Sequence, residues 1–225
     1  MASGALRFST QAGLTQPAAA HAGLPDLRYQ TLVGLACWQQ LPPEVQRRFS
    51  KNLNTGKPTI YAGRVTNVSI SRLGWMLAQA LRIIGAPLPL SRATGALSIV
   101  TVTNDKETGG QIWTRVYWGS TGLPQIIQSR KCFLGRTGLE EHVRAGIGMS
   151  LAITVEDGAL VFRSQDYFWR CGSLRVTIPK MLTPGHMTVS HKAVTPESFL
   201  FTLSLEHGMF GTLVQQEALF ESELV

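Results

Sequence analysis

The sequence predicts an α+β fold that is mainly antiparallel β. About nine strands form a curved sheet or calycin-like barrel wrapped around one amphipathic helix, with short helices before them. Three observations predict this. From Thr94 onward apolar residues recur at every second position, the signature of half-buried strands. One segment, residues 73–84, instead carries an apolar stripe at helical spacing. Finally, 22 glycines and 11 prolines punctuate the 225 residues with turns.

The elements follow in order. Residues 1–28 are rich in Ala, Gly, Thr and Ser and read as a flexible N-terminal arm, with residues 29–225 as a single β-rich domain. A short helix is expected over residues 30–40, burying Leu32, Leu35 and Ala36. A second begins at Leu41-Pro42-Pro43, since proline suits a first helical turn, and runs through Val45 and Phe49. Residues 60–70 read as a strand. The stripe Leu73, Met76, Leu77, Ala80, Leu81, Ile84 then marks the main helix. Ser71 can cap it, and Gly85 and Pro87 stop it. At about a dozen residues it suits packing on a sheet better than lying on a membrane. Strands are expected at residues 97–101, 111–118, 126–134 and 147–155. Asp157-Gly158 has the chemistry of a tight hairpin turn, after which residues 159–170 pair back. Residues 186–195, 198–206 and 212–220 complete the set. An apolar face on one sheet must be covered. Either the helix fills the curve, or the sheet closes into a barrel.

Composition narrows the class. With 44% hydrophobic and 16% charged residues, the chain can build a core. No apolar run reaches the ~18 residues of a transmembrane segment, and no secretory signal is read at the N-terminus. Cys37, Cys132 and Cys171 offer no CxxC pair and no disulfide framework, so a reducing, cytoplasmic location is expected. Net charge is +7, unevenly spread. Residues 44–92 carry eight bases against Glu44, whereas residues 193–225 carry five acids and no Lys or Arg. Such a basic stretch attracts phosphates or anionic membranes when it stands alone. Barrel closure would set the first strand beside the acidic last one and explain the asymmetry. Base-reading motifs are missing, so no specific nucleic-acid partner is expected.

Catalytic and metal signatures are weak. His186 and His191 fall on opposite faces of a strand, as do Glu206 and His207. Glu140, Glu141 and His142 read as a solvated turn. With no HExxH and no Cys/His array, no metal or cofactor is expected. There is no Gly-x-Ser-x-Gly elbow, and Asp166 reads as surface-facing. No catalytic residue is assigned, and enzymatic activity is not the expectation. Residues 111–118 are more informative. Trp113, Arg115 and Tyr117 share one face, and an arginine between aromatics can grip a carboxylate with two hydrogen bonds. Gln128 and Arg130 on the next strand would extend the polar patch. An arginine merely stacked over rings is the alternative.

Many short motifs fall in a familiar order: Gly34-Leu35 with Trp38, Leu41-Pro42-Pro43, Tyr61-Ala62-Gly63, Gly85-Ala86-Pro87, Trp113-Thr114-Arg115, Gly138-Leu139-Glu140-Glu141, Asp157-Gly158-Ala159-Leu160, Trp169-Arg170, Ile178-Pro179, Leu182-Thr183-Pro184 and Gly211-Thr212-Leu213-Val214. Over residues 30–220 the chain resembles domain of unknown function family 4166. Gln215-Gln216-Glu217-Ala218 departs from the pattern, where an aromatic residue and a glycine are expected. That family is similar to a segment often found behind saccharopine-dehydrogenase-like dinucleotide-binding domains, and it also occurs alone. The resemblance implies no established activity and no catalytic residues. The chain lacks a Gly-x-Gly-x-x-Gly before a helix, so it is not the nucleotide-binding half itself.

The function expected is non-catalytic binding of an apolar, acidic small molecule, fatty-acid or lipid-like, in a barrel cavity. Arg115 would be the anion anchor, with Trp113 and Tyr117 at the entrance. The alternative is an accessory domain docking on a Rossmann-type, dinucleotide-dependent oxidoreductase.

Overall fold

The computed structural model describes residues 24–83, 88, 92–118 and 124–221. The expected arm therefore lies outside the described residues up to position 23. Its last residues are tied down: Asp26 N–H donates to Ser50 O, and Asn52 donates to Leu24 O. Three short helices follow: α1 (Arg28–Val33), α2 (Leu35–Trp38) and α3 (Pro43–Phe49). The single helix expected over residues 30–40 is broken at Gly34, whose φ of 81° lies in the left-handed region. That break resets the helical phase. Leu35 and Ala36 consequently face solvent and Leu32 is half-buried, while Tyr29 and Trp38 are the buried anchors. α3 begins on Pro43, as its sequence demands, and buries Val45 and Phe49. After it comes the 3-10 turn Leu53–Thr55.

Among the described residues there are eleven strands: β1 (Thr59–Ile70), β2 (Leu97–Asn104), β3 (Gln111–Trp118), β4 (Pro124–Cys132), β5 (Glu140–His142), β6 (Ile147–Glu156), β7 (Ala159–Cys171), β8 (Leu174–Thr177), β9 (His186–Thr195), β10 (Ser198–His207) and β11 (Gly211–Glu221). The sheet closes. Its order is β6-β5-β4-β3-β2-β1-β11-β10-β9-β7, and β7 pairs back onto β6, giving a ten-stranded antiparallel barrel. β8 hangs on β7 as an eleventh strand outside the ring. Of the two solutions open in the sequence, closure is the one adopted. It sets β1 beside β11, with Arg64 opposite Leu219 and Asn67 opposite Glu217. Asp157 (φ 48°) and Gly158 (φ 73°) make the β6–β7 hairpin with both central residues left-handed.

β7 changes partners along its length. Residues 159–163 pair with β9, and residues 168–171 pair with β8, on either side of a bulge opposite Met149 and Leu151. Above the bulge β7 is not laddered to β9. The segment from β8 through the 3-10 turn Lys180–Leu182 covers that seam, with Ile178 N–H donating to Tyr167 O.

The barrel is filled from one end by the N-terminal helices. Tyr29, Trp38, Leu41, Val45, Phe49 and Leu53 join Phe162, Phe199, Phe201 and Phe220 in one buried cluster. Each such side chain contributes roughly 1.5–3 kcal/mol on burial.

Helix α4 (Arg72–Ile83) lies over the opposite end, not inside the sheet's curve. Ser71 Oγ caps it by accepting from Gly74 N–H at 3.0 Å. Ile84, Gly85 and Pro87 lie outside the described residues. Its buried side is Gly74 and Ala78 with half-buried Leu77 and Leu81, whereas Leu73, Met76 and Ala80 of the expected stripe are exposed. The reason is a close crossing. A Cβ on Gly74 would sit 2.0 Å from the Leu213 carbonyl oxygen of β11, so the helix can approach only on its glycine side. Gly74→Ala should lift α4 off β11 and cost about 1–3 kcal/mol. A lower Tm than wild type is expected on thermal unfolding. An unchanged Tm would mean that this crossing does not hold the helix.

Candidate functional site

Between the helical plug and α4 the barrel retains a cavity of about 190 Å³. That is room for on the order of a dozen water-sized groups. Its upper rim comprises Leu81, Leu88, Ile178, Leu182 and Pro184. Its walls are apolar, with Met149, Phe162, Met187, Val189 and Phe201 among them. Val65, Tyr117 and Ile127 form a separate small cluster on the barrel wall.

Polar groups gather deeper. Trp113, Arg115 and Tyr117 all face the cavity, as the alternation of β3 requires. Arg115 donates through Nη1 to Ser129 Oγ at 3.2 Å, and its Nη2 lies 3.8 Å from Glu141 Oε1. Lys131 Nζ donates to Glu141 Oε2 at 2.6 Å, the length of a charge-assisted hydrogen bond. The same ammonium lies 5.5 Å from the Trp113 ring and 5.2 Å from the Phe162 ring.

Gln128 and Arg130 do not join this group. They lie on the outer face, where Gln128 donates to Thr114 Oγ1 and Arg130 to Glu107 Oε2. The register sets Trp113 opposite Ser129 and Arg115 opposite Ile127. The lumen therefore receives Ile127, Ser129 and Lys131. A one-residue difference in parity reverses the face, and the strand's own sequence does not fix that parity.

Glu140, Glu141 and His142 are not a solvated turn but strand β5, and both glutamates are buried. They point to opposite sides. Glu141 enters the lumen. Glu140, fully buried, lies outside it, with His142 Nε2 at 3.0 Å, Arg175 Nη2 at 3.0 Å and Arg170 Nη2 at 3.4 Å. This outer cluster fastens β8 to the wall. Asp166 is on the surface, as its sequence suggested, 3.9 Å from Arg136.

Two further groups stand here: His191, which lines the cavity, and Arg48, which lines a small adjoining pocket with Arg115 and His191. His191 of β9 is enclosed by Phe49, Phe162, Phe199, Phe201 and Trp113, and its Nδ1 has no hydrogen-bond partner among the described residues. Burial, together with Arg48, Lys131 and Arg115, holds its pKa well below the ordinary histidine value, so the ring is neutral. Arg48 of α3 stacks 3.6 Å from the Phe199 ring centroid, and its buried Nη1 likewise lacks a partner. Burial lowers the Arg48 pKa to about 10, which leaves it cationic at neutral pH. Burial also pulls the Lys131 ammonium down, with Glu141 opposing that pull. For Glu141 burial pushes the carboxyl up, but Lys131 and Arg115 outweigh it and hold the pKa at about 2. The cavity lining thus carries Arg115 and Lys131 against Glu141, an excess of one positive charge, with Arg48 in the small pocket that adjoins it.

Residues 41–220 match the family model described as Domain of unknown function (DUF4166), and the chain belongs to that family. No curated protein and no solved structure matches it. Among the described residues no helix is long and apolar enough to cross a membrane.

The depressed Glu141 pKa has a definite sign. Its contribution to stability is fully present above the unfolded value near 4.5 and is lost as pH falls through the folded value near 2. Glu141→Gln should remove that part of the acid dependence and strand Lys131, at a cost of about 3–5 kcal/mol. Urea unfolding of both proteins across this pH window measures it. An identical slope in the two would show that Glu141 is not held ionised by its neighbours.

Proposed function

We propose that this DUF4166 domain is a non-catalytic binder of an apolar carboxylic acid of the fatty-acid class. The acid's head group would lie on Arg115 and its chain would run toward the rim. The observation that carries this reading is the unbalanced positive charge of Arg115 and Lys131 against Glu141 in a largely apolar lumen, with Arg48 close by. A buried charge without a counterion is costly, and a ligand anion removes that cost.

The chemistry of the groups fits a carboxylate. A guanidinium offers paired donors that match its two oxygens. Arg115 lies 3.8 Å from Glu141 and donates to Ser129 Oγ at 3.2 Å, so turning to a ligand carboxylate would exchange a neutral acceptor for a charged one. Arg48 Nη1 and His191 Nδ1 are polar groups without a hydrogen-bond partner among the described residues. Glu141 itself is occupied by Lys131, and its low pKa suits a fixed counter-charge better than a proton carrier. The cavity volume suits an acid with about a dozen non-hydrogen atoms inside the lumen, and a longer chain would extend past the rim.

Displacement of a fluorescent fatty-acid probe tests this reading. Decanoate should displace the probe, and decanol, the same chain without the charge, should do so far more weakly. Arg115→Met should weaken decanoate by about tenfold to a hundredfold, the worth of a hydrogen bond to a charged group. Arg48→Met, outside the lining of the main cavity, should weaken it less. Variants are compared only where their Tm shows a folded barrel. Equal binding of decanoate and decanol, or no displacement by either, would sink the proposal.

A further inference from the structure

We infer that the rim end of the barrel docks on an anionic lipid surface, from which the cavity takes up its ligand; this rests on the fatty-acid reading of the cavity. Three separate elements at that end turn apolar side chains outward. Helix α4 exposes Trp75 and Met76. The 3-10 turn Lys180–Leu182 exposes Met181 and Leu182, and the β10–β11 turn exposes Met209 and Phe210. Met181 is 89% and Met209 77% exposed, so these side chains project as tips rather than line a groove. Exposed apolar clusters of this kind mark interaction sites.

The tips are continuous with the cavity. Leu81 of α4 and Leu182 of the turn line it from the same two elements. An acyl chain leaving the lumen would therefore meet apolar surface all the way to the tips.

Charge selects the partner. Arg72 and Arg82 of α4, Lys180 of the turn and Arg144 beside β6 are all exposed at this end. Neither α4 nor the Lys180–Leu182 turn contains a carboxylate. Glu206 stands just before the β10–β11 turn and accepts from Ser204 Oγ. Basic side chains around apolar tips match an anionic headgroup layer over an acyl interior. A folded protein partner would instead need a concavity for each of three projecting tips. A bilayer yields to all of them, and it is where fatty acids partition.

Co-sedimentation with vesicles tests the inference, using phosphatidylcholine alone and phosphatidylcholine mixed with phosphatidylglycerol. The wild-type chain should pellet with the anionic vesicles, less with the neutral ones, and less again as salt is raised. Trp75→Ser/Met181→Ser/Met209→Ser should stay in the supernatant while binding decanoate in vesicle-free solution as the wild type does. Arg72→Glu/Arg82→Glu/Lys180→Glu should lose the preference for anionic vesicles. A wild-type chain that stays in the supernatant with both compositions overturns the inference. So does a tip variant that pellets as well as wild type. A wild-type dimer in sedimentation that the tip variant abolishes, without vesicle binding, would assign the tips to a second copy. Decanoate binding is read without vesicles, so failure of the docking surface and failure of the cavity reading remain distinguishable.

Discussion

A closed wall of ten strands encloses more space than its own inward side chains can fill, and the rest of the structure answers that constraint. Eight strands already leave an interior that side chains just fill or that holds one small ligand. Here the N-terminal helices supply the missing volume at one end, through Tyr29, Trp38 and Phe49 in particular. At the other end α4 crosses close to β11 on Gly74 and contributes Leu77 and Leu81 toward the interior. The cavity is what remains between a deep plug and a thin cover.

The plug and the polar floor are parts of one network. Gln111 Oε1 accepts from Tyr29 Oη and from Trp113 Nε1, so the first helix is bonded to the strand that carries Arg115. Trp113 in turn lies against both Arg115 and Lys131. A buried ion pair such as Lys131–Glu141 gives little net stability against an apolar replacement of the same shape. Its retention at the base of an apolar space is better understood as orientation: it fixes where the remaining positive charge points.

Local sequence rules carried most of the wall. Nine of the strands announce themselves by period-two alternation or by turn chemistry, as with Asp157-Gly158. β5 does not, because three residues reading Glu-Glu-His look like a solvated turn until Lys131 and Arg175 are known to lie beside them. β8 does not either, since all four of its residues are exposed and no face alternates. The helix was legible in place and length, but its buried side was not. Packing was decided by one glycine against a carbonyl, not by the widest apolar stripe. At the site, Trp113, Arg115 and Tyr117 were legible because one strand's alternation suffices. Ser129 and Lys131 required the register of a second strand. Glu141, His191 and Arg48 come from three further elements brought together only by closure.

The partner change along β7 has a dynamic consequence. Residues 172–182 contain no buried side chain. They are held by four pairings to β7, by the Ile178–Tyr167 bond and by Arg175 on Glu140. A ladder that short, solvated along its length, opens at a small fraction of the free energy needed to unfold the barrel. The wall is thus a stiff cylinder with one soft slat, set over the seam where β7 and β9 are not laddered. Amide exchange in such a molecule is graded, fast along the slat and slow around the ring. Opening of the slat is then a local fluctuation that puts no strain in the other strands.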